Sequence, residues 1–141
     1  MDKRKSRKYY LHHYWRSDLV MAAVWVLSLM PVPEVPQLAD VPLWDKWTHM
    51  VMYGGLSATL WFDYWLAHRN GRWSWRRLWL WGWALPVLTG GLLEILQEYC
   101  TGGMRSGDWL DFCADVFGAT VVSVAYWLFL VRLQGRRGRC S

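Results

Sequence analysis

Residues 90–118 read GGLLEILQEYCTGGMRSGDWLDFCADVFG, two apolar segments joined by a short glycine-rich loop and carrying acids and an arginine. Glu94 and Glu98 stand four apart, and Asp108, Asp111 and Asp115 follow one another at three- and four-residue steps. At helical pitch each set lines one face of its helix. Residues 45–53, DKWTHMVMY, repeat the habit, with Asp45, His49 and Tyr53 four apart. The pattern predicts helices that turn polar groups toward a shared pocket.

The surrounding chain makes that pocket unusual. Of 141 residues, 54% are hydrophobic and 17% aromatic, with thirteen tryptophans, a composition remote from that of an ordinary soluble domain. Mean hydropathy is only +0.02 because basic ends and a basic middle loop offset long apolar runs. The net charge of +5 does not signal nucleic-acid binding, since the basic residues flank apolar spans and form no single patch. Cys100, Cys113 and Cys140 make neither a disulfide framework nor a zinc motif, and a bridge between Cys100 and Cys113 is left open by their positions.

Four apolar stretches read as spans of a bilayer, which takes roughly 20 residues each; in the first the strictly apolar part, residues 19–30, is shorter, so Tyr14 and Trp15 count as interface anchors and Asp18 lies near the boundary. The first, residues 14–32, follows a basic start without a small-x-small cleavage pattern, so it reads as a retained span rather than a signal peptide. The second covers residues 47–67 and carries Gly54, Gly55, Ser57 and Ala58, which allow close helix approach. The third, residues 78–98, contains Pro86, which removes a backbone hydrogen bond and predicts a kink. The fourth covers residues 109–133.

The expected architecture is therefore an all-α bundle of four transmembrane helices. Residues 1–16 form a basic N-terminal segment, 17–133 the membrane domain and 134–141 a basic tail. Of the sixteen Lys and Arg residues, all but Lys46 and Arg105 fall in the N-terminal segment, the loop between the second and third spans, or the tail. By the positive-inside rule both termini are cytoplasmic. Trp61, Trp65, Trp73, Trp75, Trp79 and Trp127 then fall near the inner interface, and Trp44, Trp47 and Trp109 near the outer one. The same orientation puts Asp45, Lys46, His49, Tyr53, Glu94, Gln97, Glu98, Arg105, Asp108, Asp111 and Asp115 in the outer half. Asp18 and Asp63 remain as pairs for the inner basic loops.

Charges at bilayer depth cost at least ~2.5 kcal/mol each, so they pair or face a pocket. In the outer group the acids outnumber the bases, which calls for protonation, a divalent cation or a cationic ligand group. A carboxylate-rich, thiol-poor set favours Mg²⁺, Ca²⁺ or Mn²⁺ over structural zinc. Simple pairing is the competing reading, with Lys46 on Asp45, Arg105 on Asp108 or Glu98, and Asp108 as helix N-cap. His49, one turn after Asp45, has the spacing of a carboxylate-oriented base or metal ligand.

At these residues the chain resembles the VanZ-like family of small bacterial membrane proteins. DKWTHMVMYGGL is similar to the family's Asp-Lys-x-x-His-x-x-x-Tyr/Phe-x-x-Leu pattern, and EILQ supplies Glu94 and Gln97. Arg105, Asp111 and Gly118 fit the Arg…Asp-x-x-x-Asn-x-x-Gly block, with Asp115 where the family commonly has Asn. The resemblance covers residues 45–118. It implies a four-helix unit of the bacterial cytoplasmic membrane linked to the cell envelope and, through the family's namesake, to glycopeptide (teicoplanin) resistance. The expected partner is a membrane lipid or lipid-linked envelope component. As an enzyme the protein would use His49 with Asp45 as base, Glu94 or Asp111 as acid or cation ligand, and Lys46 with Arg105 to hold an anionic group, with Tyr53, Gln97, Glu98, Asp108 and Asp115 completing the pocket. The alternative is a non-catalytic binder that shields a lipid head group or lipoglycopeptide and relies on the aromatic rim.

Overall fold

A computed structural model of the protein describes residues 3–30, 43–69, 74–100 and 107–137. Among these residues the chain is all helical: α1 (Lys3–Leu29), α2 (Trp44–His68), α3 (Trp75–Cys100) and α4 (Trp109–Arg137). The helix α1 runs on without a break from the basic segment into the apolar one and stops shortly before Pro31. The central element is α2, which lies along α4 over its greatest contact and also packs on α1, while α3 closes against α4.

Small residues permit the α2–α4 approach. A Cβ on Gly118 would collide with the Met50 carbonyl oxygen, and one on Gly54 would sit 3.4 Å from Val122 Cγ2. Such contacts bring the two backbones close together. Gly55, by contrast, faces open space.

The helix α3 departs from regular geometry where the sequence predicts it. Pro86 cannot donate to the Gly82 carbonyl one turn back, and residues Leu80–Ala84 form a π-helical turn in which the Leu85 N–H reaches Leu80 O. The Gly82 carbonyl instead accepts a hydrogen bond from Ser57 Oγ at 2.6 Å and a longer one from Ser123 Oγ at 3.4 Å. Trp61 Nε1 donates to Ser123 Oγ at 2.9 Å. A Cβ on Gly82 would strike the Trp61 indole, so the glycine makes room for this knot of α2, α3 and α4.

Two apolar clusters flank the knot. Val24, Tyr53, Leu56, Leu60 and Leu93 form one, and Trp61, Tyr64, Leu78 and Leu130 the other. Trp61 is thus fully enclosed. Its ring packs edge-on against Trp79, and its N–H is satisfied inside the bundle.

Asp63 is also enclosed. It accepts hydrogen bonds from Arg16 Nε at 2.9 Å, Ser17 Oγ at 2.8 Å and the Ser17 N–H at 3.1 Å. Asp63 thus has the basic partner expected of it, and the pair fastens α1 to α2 within the protein. Nearby, a cavity of about 390 Å³ opens between α1, α2 and α3, lined in part by Tyr14, Asp18, His68, Arg77 and Trp81.

Both α3 and α4 are long and apolar enough to cross a membrane. Much of their apolar surface points outward, with Leu88 70% and Phe117 60% exposed. On composition alone α1 and α2 do not qualify, since they mix tryptophan, tyrosine, histidine and charged residues into their apolar runs.

Candidate functional site

At the end of the bundle where α3 gives way to α4, α2 brings His49 between carboxylates from the other two helices. His49 Nδ1 is hydrogen-bonded to Asp115 Oδ1 at 2.9 Å and lies 3.7 Å from Glu94 Oε1. On the other edge of the ring, Nε2 lies 4.0 Å from Asp111 Oδ2. His49, Asp111 and Asp115 are all buried, and the Glu94 side chain keeps only 11% exposure. The stepwise spacing of the acids has done what a helix dictates, placing Asp111 and Asp115 on one face of α4.

Asp45 is exposed at the rim, within reach of His49 and Asp111, where each of the three offers a ligand atom within 4.8 Å of the others. The sequence had Asp45 orienting His49; the closest carboxylate is instead Asp115, from a different helix. Lys46 likewise turns away from Asp45. Its ammonium donates to Asp108 Oδ2 at 2.6 Å and to Asp111 Oδ1, bridging the first turn of α4.

Asp108 performs two tasks. Its Oδ1 accepts the Leu110 N–H at 2.9 Å and its carbonyl accepts the Asp111 and Phe112 N–H groups, so it caps α4 as expected. The neighbouring Lys46 ammonium and the Leu110 N–H hold its carboxyl below the usual aspartate range. Its own N–H donates to Glu94 Oε2 at 2.8 Å, which fixes that carboxylate and turns Oε1 toward His49.

Glu98 accepts the Gly107 N–H at 3.0 Å on the exposed side of the turn. Gly107 is there because a Cβ would lie 2.5 Å from the Glu94 carbonyl oxygen and 3.2 Å from Glu98 Cβ. Tyr53 is buried beneath His49, the two rings stacked with centroids 6.3 Å apart. Gln97 departs from the group, donating to the Ser28 carbonyl of α1 at 2.7 Å. Arg105 lies outside the described residues. Cys100 and Cys113 are free and exposed.

Gly90 is a participant that sequence reasoning did not single out. A Cβ there would sit 2.6 Å from Asp115 Oδ2, so the glycine is what lets the Asp115 carboxylate pack against α3. The signal was its place one turn before Glu94 on the same face of α3.

Chemically the arrangement offers a histidine between two sets of carboxylates, a lysine at the mouth and a tyrosine below. It can exchange protons, hold a cation or position a polar head group. Comparison of the chain with protein-family models, curated proteins and solved structures finds no match.

Proposed function

We propose that the chain is a VanZ-like protein of the bacterial cytoplasmic membrane, with four spans and both termini inside, whose outward pocket acts on a lipid-linked component of the cell envelope. The observation that carries this reading is the buried His49, held by Asp115 and flanked by Glu94 and Asp111. Ionisable groups at such a depth are expensive and mark function by default. Residues from each of the three sequence blocks behind the family resemblance, Lys46 and His49, Glu94, and Asp111, also meet at this one end of the bundle. Support for the topology comes from the distribution of Lys and Arg along the sequence and from the outward apolar faces of α3 and α4.

In this reading His49, anchored through Nδ1, presents Nε2 toward Asp111 as the proton-accepting group. Lys46, at the mouth, draws in a phosphate or carboxylate. The link to glycopeptide resistance belongs to this proposal through the resemblance alone. The test is mass spectrometry of envelope lipids and cell-wall precursors from cells expressing the wild type, His49→Ala or Glu94→Gln at matched membrane levels. A mass-shifted species made by the wild type and missing from both variants is expected; identical profiles from all three would sink the enzymatic reading.

One observation favours a second reading, a binder that shields its ligand without reaction. Trp44, Trp47 and Trp109 are exposed around the site, with Trp109 73% accessible. Amphipathic rings there suit an acyl chain or lipoglycopeptide at the interface. A defect in Trp109→Ala with a silent His49→Ala selects this reading.

A further inference from the structure

The carboxylates around His49 are not equally supplied with positive charge. On the Nε2 side the Lys46 ammonium already engages Asp111 and Asp108. On the Nδ1 side, Glu94 and Asp115 meet no Lys or Arg among the described residues, and His49 is their only basic neighbour. Asp115 has no exposed side-chain surface, and its Oδ2 is buried without a hydrogen-bond partner. An unmatched carboxylate oxygen in such a place is costly. Gly90, one turn before Glu94, lets this same oxygen pack directly against the backbone of α3.

We infer that His49 Nδ1, Glu94 Oε1 and the Asp115 carboxylate form a binding site for a divalent cation of the Mn²⁺ type. One donor atom from each residue lies within 4.8 Å of the other two. Two donors at right angles on an ion about 2.1 Å from each are separated by about 3 Å, close to the 2.9 Å between Nδ1 and Asp115 Oδ1. Only a short shift of Glu94 Oε1 toward His49 Nδ1, from its 3.7 Å position, completes the triangle. One imidazole and two carboxylates suit manganese: oxygen-only cages are the habit of Mg²⁺ and Ca²⁺, and thiolates that would favour structural zinc are missing from the set.

The surroundings match the support that metal-ligating histidines receive. With the cation on Nδ1 the ring keeps its proton on Nε2, which faces Asp111, and Glu94 is already fixed through the Asp108 N–H. This rests on the proposed function and changes one role in it: in the loaded site His49 is a ligand and no longer the proton acceptor, and the ion would be the group that polarises a bound phosphate or carboxylate.

The test is titration of Mn²⁺ into the detergent-purified full chain, read by electron paramagnetic resonance, with pulsed detection of nitrogen coupling. No envelope component is present, so the outcome is separate from that of the lipid profiles. The wild type is expected to bind one ion per chain with coupling to a single imidazole nitrogen. Asp115→Asn and Glu94→Gln, which keep shape and remove charge, are each expected to weaken binding at least tenfold, and His49→Gln to abolish the nitrogen coupling. Asp18→Asn, an acid on the opposite side of the bundle, is expected to change affinity less than twofold. Circular dichroism and gel filtration matching the wild type establish that the variants are folded. Absence of binding at millimolar Mn²⁺, binding without nitrogen coupling, or equal affinity in Asp115→Asn and the wild type would each overturn the site.

Discussion

Pro86 and Ser57 are joined through a third group: the Gly82 carbonyl that the proline leaves without its helical donor takes the Ser57 hydroxyl at 2.6 Å. A defect in one helix is thereby converted into a contact with another. Ser57→Ala deprives that carbonyl of its short partner and should cost about 1–3 kcal/mol of stability in detergent. The cost should shrink when Pro86→Ala is present, because alanine returns a backbone donor to Gly82. A double-mutant cycle by thermal or denaturant unfolding measures the coupling; strict additivity would refute the link.

Gly118→Ala should destabilise by about 1–3 kcal/mol, because the new methyl group meets the Met50 backbone carbonyl, which cannot rotate aside. Gly55→Ala, facing open space in the same pair of helices, should be neutral or stabilising by up to about 1 kcal/mol. Melting temperatures of the two variants side by side separate close packing from helix propensity.

Asp63→Ala leaves the Arg16 guanidinium and the Ser17 hydroxyl without their acceptor. The expected loss is about 3 kcal/mol, the low end for a broken buried pair, because Arg16 keeps 31% of its side chain exposed. Trypsin cleavage within α1, which carries several basic residues, should accelerate in the variant at unchanged temperature.

Asp108 has its carboxyl depressed by Lys46 and the Leu110 N–H. Its contribution is therefore present above the ordinary aspartate pKa of ~3.9 and is lost as pH falls through the lower folded value. Asp108→Asn keeps a capping oxygen and removes the ion pair. The gap in melting temperature between wild type and variant should be steady from pH 7 to 5 and close below pH 4.

The helical class, the positions of the helices and the gathering of acids around His49 were legible because periods of three and four leave little choice of face. Partners were less legible. Spacing puts Asp45 on the same side of α2 as His49 but says nothing about Asp115, which arrives from α4 and wins by being enclosed with it. Lys46 reaches Asp108 and Asp111 for the same reason: its neighbour in sequence points to solvent while two acids on α4 point to it. The burial of Trp61 was not legible either, because it depends on the bare Gly82 opposite, which creates a slot for its ring. The clue to Asp63 was a lone acid amid Trp61, Phe62, Tyr64 and Trp65, a position that requires a partner from inside the protein.

The two ends of α2 are separated in kind as well as distance. His49 and Asp63 lie fourteen residues apart, about 21 Å along the helix, with apolar side chains and the Ser57 hydroxyl between them. At that range substitutions add independently. One end can therefore diversify while the other stays constant, so that a lineage can retune what the His49 pocket recognises without renegotiating the Arg16–Asp63 fastening that keeps α1 in place.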